Sequence, residues 1–136
     1  MDFAKTFAIA ASGLKAQSGR MKVIAENIAN ADSTASTPGA DPYRRKVVSF
    51  ASALDKELQA RTVALGRVQN DLSQFNVRHE PGHPAADDNG NVKYPNVNTM
   101  IETVDMREAQ RSYEANLNVI GATRRMIART LELLRA

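Results

Sequence analysis

Apolar residues at the start of the chain recur at alternating spacings of four and three: Phe3, Phe7, Ala10, Leu14, Met21, Ile24 and Ile28, with Gln17 as the one polar break. That rhythm is the seam of a helix built to lie against another helix. It predicts a helix from about Phe3 to Asn30, roughly 40 Å long at 1.5 Å per residue. Gly13 and Gly19 fall inside it, each costing about 1 kcal/mol of helix propensity against alanine. The stretch ends in Asn27 and Asn30 and then dissolves into small polar residues. Asn tolerates the left-handed conformation that closes helices, so either residue could terminate this one. Both also sit on the flank of the seam, where an amide could bond a neighbouring helix; Asn27 is assigned that contact and Asn30 the termination.

A second seam runs along the last third of the chain: Tyr113, Leu117, Ile120, Arg124, Ile127, Leu131 and Leu134, widened by Val119, Met126 and Leu133. Its helix has a readable start, because Thr99 and Glu102 have capping-box spacing and Asn98 is an alternative cap. Arg124 on the seam has two readings. Its stem can pack while the guanidinium reaches water, or its charge can set register against a carboxylate or a helix end.

Between the seams the pattern changes. TASTPGADPY (Thr34 to Tyr43) is a loop, YRRKVVSFASAL suggests a short strand, and Ala53 to Arg61 suggests a helical turn or two. VALGRVQNDL, SQFNVRHE and NVKYP read as short strands with tight connections, the last after an Asn89, Gly90 turn signal. This part is too small and polar to bury a large core alone. The expected fold is therefore mainly α: long N- and C-terminal helices forming a coiled coil within and between molecules, with a small β-rich insert. The segments are 1–30, 31–97 and 98–136. Two helices covering one seam each would leave Val119, Met126 and Leu133 exposed, a surface for other chains.

Composition narrows the chemistry. The chain has 136 residues, 43% apolar, with no cysteine and hence no disulfide framework. No run approaches the roughly 20 apolar residues of a membrane span, and Asp2, Lys5 and Lys15 argue against a cleaved secretory signal. The pI is 9.4, but the net charge is only +3 and the basic residues are scattered among glutamates, which disfavours nucleic acid as a partner. His79, His83, Asp87, Asp88 and Asn91 form the one cluster resembling a metal site. Pro81 and Gly82 break the histidine spacing, and Asn98 stands where a calcium loop needs glutamate. Turn formation explains those residues better, so no metal and no cofactor is assigned. No catalytic signature frames a serine or threonine, and no glycine loop cradles phosphate. Tyr113 and Glu114 could mimic an acid and base pair, but Tyr113 belongs to the seam. Catalytic residues are therefore not assigned.

SGLKAQSGRMKVIAENIANADST resembles the N-terminal motif of the flagellar rod and hook axial proteins, and PNVNTMIETVDMREAQRSYEANLNVIGATRRMIARTLELL resembles their C-terminal motif. HEPGHPAADDNGNVKYPNVN is similar to a stretch that marks a proximal branch of the rod proteins. The likeness covers nearly the whole chain, although the ASTPGADPY loop varies within such proteins. It implies a non-enzymatic structural subunit of the bacterial flagellar basal-body rod, exported without a cleaved signal and assembled helically around the export channel, carrying torque towards the hook. It implies an inner layer of terminal helices and an outer layer made by the insert. Implied partners are other copies and the rod proteins FlgB, FlgF and FlgG, with the export-gate or basal-body complex as a further contact. The expected subunit interface comprises Asn27, Asn30 and the apolar seam residues named above, with Arg124, Val119, Met126 and Leu133. An alternative from another class is a soluble helical adaptor or export chaperone forming a closed dimer or heterocomplex.

Overall fold

In the computed structural model, which describes residues 2–136, two helices frame six short strands. Helix α1 runs Phe3–Ala29; β1 (Lys46–Val47), β2 (Phe50–Asp55), β3 (Ala60–Leu65), β4 (Gln69–Asn70), β5 (Asn76–His79) and β6 (Asn91–Tyr94) follow, and α2 closes the order at Thr99–Arg135. The strands pair as three antiparallel two-stranded ribbons, β1 with β4, β2 with β3 and β5 with β6. The two terminal helices pack together with this small β insert between them in sequence. The chain divides into two compact units.

The first unit comprises residues 1–21, 49–67 and 107–136, so it holds most of α1, the β2–β3 hairpin and the larger part of α2. Its buried apolar residues are small: Ala10, Ala16, Ala60 and Ala109. Small residues let backbones approach. A Cβ added at Gly13 would stand 2.8 Å from the Asn116 side chain on α2, and one at Gly19 would stand 2.6 Å from Leu65 on β3. A side chain at either position would have to displace the end of the Asn116 or Leu65 side chain, so glycine lets these neighbours lie close against the helix. Arg20 pairs with Glu108 at 3.5 Å, and together with the Gly13–Asn116 contact this sets the helices antiparallel within the unit.

Ala53 to Arg61 is not helical. Ala53–Asp55 belong to β2 and Ala60 and Arg61 to β3, joined by a four-residue turn. Asp55 Oδ1 accepts the backbone N–H groups of Glu57 and Leu58, and Gln59 takes a φ of 48°. A local side-chain turn, available to aspartate, wins here over weak helical propensity.

The second unit, residues 22–48 and 68–106, collects the end of α1, the start of α2 and the β1–β4 and β5–β6 ribbons. Val23, Ile24, Ala85, Val92 and Val97 are buried in it, alongside Asn27 and Glu102. Helix α1 closes without a left-handed residue: Asn30 Nδ2 bonds the Glu26 carbonyl at 2.9 Å, and Ala31 N–H bonds Ile28 O at 3.2 Å. The start of α2 also differs from the capping-box expectation. Asn98 is the cap, its Oδ1 accepting from the N–H groups of Met100 and Ile101 at 3.1 and 3.4 Å. Glu102 is withdrawn into the interior instead. The β5–β6 connection is longer than a tight hairpin turn and is organised by Asp87, whose Oδ1 accepts from Asn89 and Asn91 N–H, both at 2.9 Å, while Gly90 supplies a φ of 78°. His83 Nδ1 accepts from Ala85 N–H at 3.0 Å and His79 Nδ1 lies 3.3 Å from Asn91 Oδ1, so the histidines serve this same loop.

Candidate functional site

Two features stand out: apolar ladders on the helices, exposed on α2 and half-buried on α1, and a buried polar hub. The helix-to-helix contacts that the structure displays fall beside the seams read from the sequence, of which Ala10 and Ile24 are themselves buried. Gly13 on α1 lies against Asn116 on α2, Arg20 pairs with Glu108, and Asn27 bonds Glu102, while Ala109 and Thr123 of α2 are buried. Those residues are small or polar. The large apolar side chains stand one position further on, about 100° round each helix. On α1 this ladder is Phe7, Leu14, Met21 and Ile28, all half-buried; on α2 it is Leu117 and Leu131, with the charged Arg124 between them, all exposed.

The expected interface residues accordingly divide. Ala10, Ile24 and Asn27 are buried inside the chain. Phe3, Phe7, Leu14, Met21, Ile28, Asn30, Tyr113, Ile120 and Ile127 are half-buried. Leu117, Val119, Arg124, Met126, Leu131, Leu133 and Leu134 are exposed, and with leucines at 55%, 78% and 77% exposure over 131–134 the end of α2 is an apolar surface in contact with solvent. Monomers rarely leave such a stripe uncovered unless another chain covers it.

The hub is centred on Asn27, 1% exposed. Its Nδ2 donates to Lys46 O at 2.8 Å and to Glu102 Oε2 at 3.2 Å, and its Oδ1 accepts from Lys46 N–H at 2.9 Å and Tyr43 OH at 2.8 Å. An amide has two donor hydrogens and two acceptor lone pairs, so Asn27 is saturated within its own chain. The helix it bonds is α2 of its own chain, and its amide has no valence left for a further hydrogen bond. Burial raises the Tyr43 pKa, which keeps the hydroxyl a donor. Arg45 Nε donates to Glu102 Oε1, and Arg45 also meets Asp71 at 3.3 Å and Asp105 at 4.0 Å. Burial works against the Arg45 charge, and its bonds to Glu102 and Asp71 more than offset this, leaving its pKa raised. Asn96 ties the loops together, accepting from Arg45 N–H at 2.8 Å and donating to Asp71 O at 3.0 Å. The hub fixes the two helix ends to β1 and the loop before β5; it presents no nucleophile.

Sequence reasoning missed Tyr43, Arg45, Asp71, Asn96 and the buried role of Glu102. Only Asn27 carried a signal, as an amide on a seam flank; the others lie in loops whose fold their own sequence does not announce.

Asp71 gives the hub a pH dependence. Backbone and side-chain hydrogen bonds from Ser73, then Arg45, hold its pKa below the ordinary 3.8. A carboxylate depressed by folding stabilises the fold at pH values above its unfolded pKa, and that contribution is lost as pH falls through the folded value. Acid titration of hydrogen-exchange protection in residues 68–106 should therefore show a loss below about pH 4 that is shallower in Asp71→Asn. An identical acid limb in the variant would refute it.

A model of the flagellar basal body rod protein family matches residues 7–40, and a model described as the flagellar basal body rod FlgEFG protein C-terminal matches residues 88–133. These define the class: a structural rod subunit of the flagellar basal body, from a family of structural proteins and not of enzymes. The flagellar basal-body rod protein FlgC of Agrobacterium fabrum is 55% identical over 94% of this chain and 92% of its own length. FlgC of Yersinia enterocolitica is 38% identical over 98% of both chains, and that of Bacillus subtilis 36% over 92% and 93%. The chain belongs to the FlgC family of basal-body rod proteins, and its place is the basal-body rod. Rod proteins assemble with other rod and basal-body proteins, and no helix among the described residues is long and apolar enough to cross a membrane. These relatives do not favour the adaptor or chaperone alternative.

Proposed function

We propose that the chain builds the rod as a helical array around the export channel, transmitting torque towards the hook. Residues 1–30 and 98–136 form an inner coiled-coil layer and residues 31–97 an outer layer. The observation that carries this reading is the exposed apolar surface of α2, where Leu117, Leu131, Leu133 and Leu134 face solvent, with the half-buried Phe7, Leu14, Met21 and Ile28 of α1 as the second ladder offered to neighbouring subunits. Heptad spacing suits knobs-into-holes packing against further helices. Neighbours in this array are copies of the chain and the rod proteins FlgB, FlgF and FlgG, with the export-gate complex below. Asn30 and Arg124 stand at the edges of the contact. Because the last turns of α2 gain their apolar contacts only on assembly, incorporation and ordering of that segment are thermodynamically linked.

Cryo-electron microscopy of isolated basal bodies tests this reading. It should place both helices of the subunit against the channel wall, with Leu131 and Leu134 covered by another chain. Density showing those leucines facing an open lumen would overturn the arrangement.

A further inference from the structure

The sequence has one Asn–Gly bond, Asn89–Gly90, and it lies in the β5–β6 connection. Asparagine followed by glycine is the pair most open to deamidation, because glycine carries no side chain to hinder its nitrogen from reaching the asparagine Cγ. Asn89 is exposed, whereas Gly90 is buried. Both sides of the Gly90 backbone are held. Its N–H bonds Asp87 O at 2.9 Å, closing a β-turn, and its carbonyl accepts from Glu80 N–H at 2.9 Å. Asp87 Oδ1 braces the turn by accepting from Asn89 and Asn91 N–H, and Asp87 N–H returns to Asn91 O at 2.9 Å. Gly90 also lies against a wall, since a Cβ there would stand 3.0 Å from both His79 Cε1 and Pro81 Cγ.

We propose that Asn89 is a latent modification site, deamidated with water as the only co-reactant, which the Asp87 turn keeps shut while the loop is folded. The reaction starts with loss of the Gly90 amide proton to base. The nitrogen then attacks Asn89 Cγ, a new C–N bond forms, and the side-chain nitrogen takes up a proton and leaves as ammonia. Water opens the resulting five-membered imide at one of its two carbonyls, giving aspartate or isoaspartate. In the fold the proton to be lost is engaged by the Asp87 carbonyl and the glycine is buried, so base reaches it only when the turn opens. Amide hydrogen exchange has the same requirement, and the two rates are therefore linked. The product changes the loop. Aspartate puts a third carboxylate beside Asp87 and Asp88, and isoaspartate adds a backbone methylene ahead of a glycine packed against His79 and Pro81. Prolonged opening of the turn is thereby recorded as a covalent change in the chain.

Incubation of the full chain in mildly alkaline buffer, with and without guanidinium chloride, tests this. Mass spectrometry of the peptide holding residue 89 reads the loss of the amide, and chromatography separates its isoaspartyl form. With denaturant, Asn89 should deamidate faster than any other asparagine; without it, the rate at Asn89 should fall at least about 10-fold. Asp87→Ala removes the two side-chain bonds that brace the turn, and should speed the reaction of the folded chain about 10-fold, with Gly90 hydrogen exchange rising in parallel. Asn89→Gln should abolish the signal, because glutamine has to close a larger, slower-forming ring. The comparison with and without denaturant needs no variant, so it decides the point even where Asp87→Ala fails to fold. Equal rates in the two buffers, faster deamidation at another asparagine in denaturant, or an Asp87→Ala chain that is folded by circular dichroism yet deamidates no faster at Asn89 would each overturn the proposal.

Discussion

Motility is expected to be lost when Leu131 and Leu134 are replaced together by alanine, while the isolated chain keeps its circular dichroism and urea midpoint. The two leucines are 55% and 77% exposed, so little of their surface is buried within the chain. Truncating exposed side chains usually changes stability by less than about 0.5 kcal/mol. Covered in an assembled rod, each leucine becomes a core residue, and Leu→Ala then costs at least about 2 kcal/mol. The pair therefore removes roughly 4 kcal/mol from each subunit's incorporation, about three orders of magnitude in its equilibrium constant. Swimming assays and the rod content of purified basal bodies read the effect. Normal rods would sink the proposed role of the α2 ladder, and a monomer destabilised by the same amount would mean the leucines pack internally.

Asn27→Ala is expected to destabilise the chain by roughly 2–4 kcal/mol, against about 1 kcal/mol for Asn30→Ala. Asn27 holds four hydrogen bonds in the interior, and its removal leaves Lys46 N–H and O, Tyr43 OH and Glu102 without that partner. A buried group left unpaired keeps its full desolvation cost. Asn30 is half-buried at the end of α1, where water can replace its bond to Glu26 O. The effect of Asn27→Ala should appear in the isolated monomer, by urea titration followed through Tyr43 and the second unit. If the monomer were unaffected and only assembly failed, the amide would be acting between subunits after all.

The terminal helices were legible because apolar residues at heptad spacing over four or more turns fall on one face only if the backbone is helical: α1 spans Phe3–Ala29, and α2 begins just after Asn98. The insert was legible as short strands because Gly, Pro, Asn and Asp punctuate it. The hairpin at Asp55 was not, since a side-chain turn involves so few residues that composition barely registers it. Nor was the hub. Arg45 and Glu102 lie 57 residues apart and look in sequence like a strand cation and a helix-start carboxylate.

By itself, the sequence determined that two long amphipathic helices flank a small β insert, and that their apolar faces exceed what one short chain can cover. Hydrophobic periodicity is a local property, and the chain carries it whole. Tertiary structure decided which faces meet. Gly13 lies against the Asn116 side chain, and Ala109 and Thr123 are buried, so small residues take the interior positions of the helices. Leu117, Leu131, Leu133 and Leu134 of α2 are left exposed, and the polar groups at Asn27, Arg45 and Glu102 fall where only the folded chain can pair them.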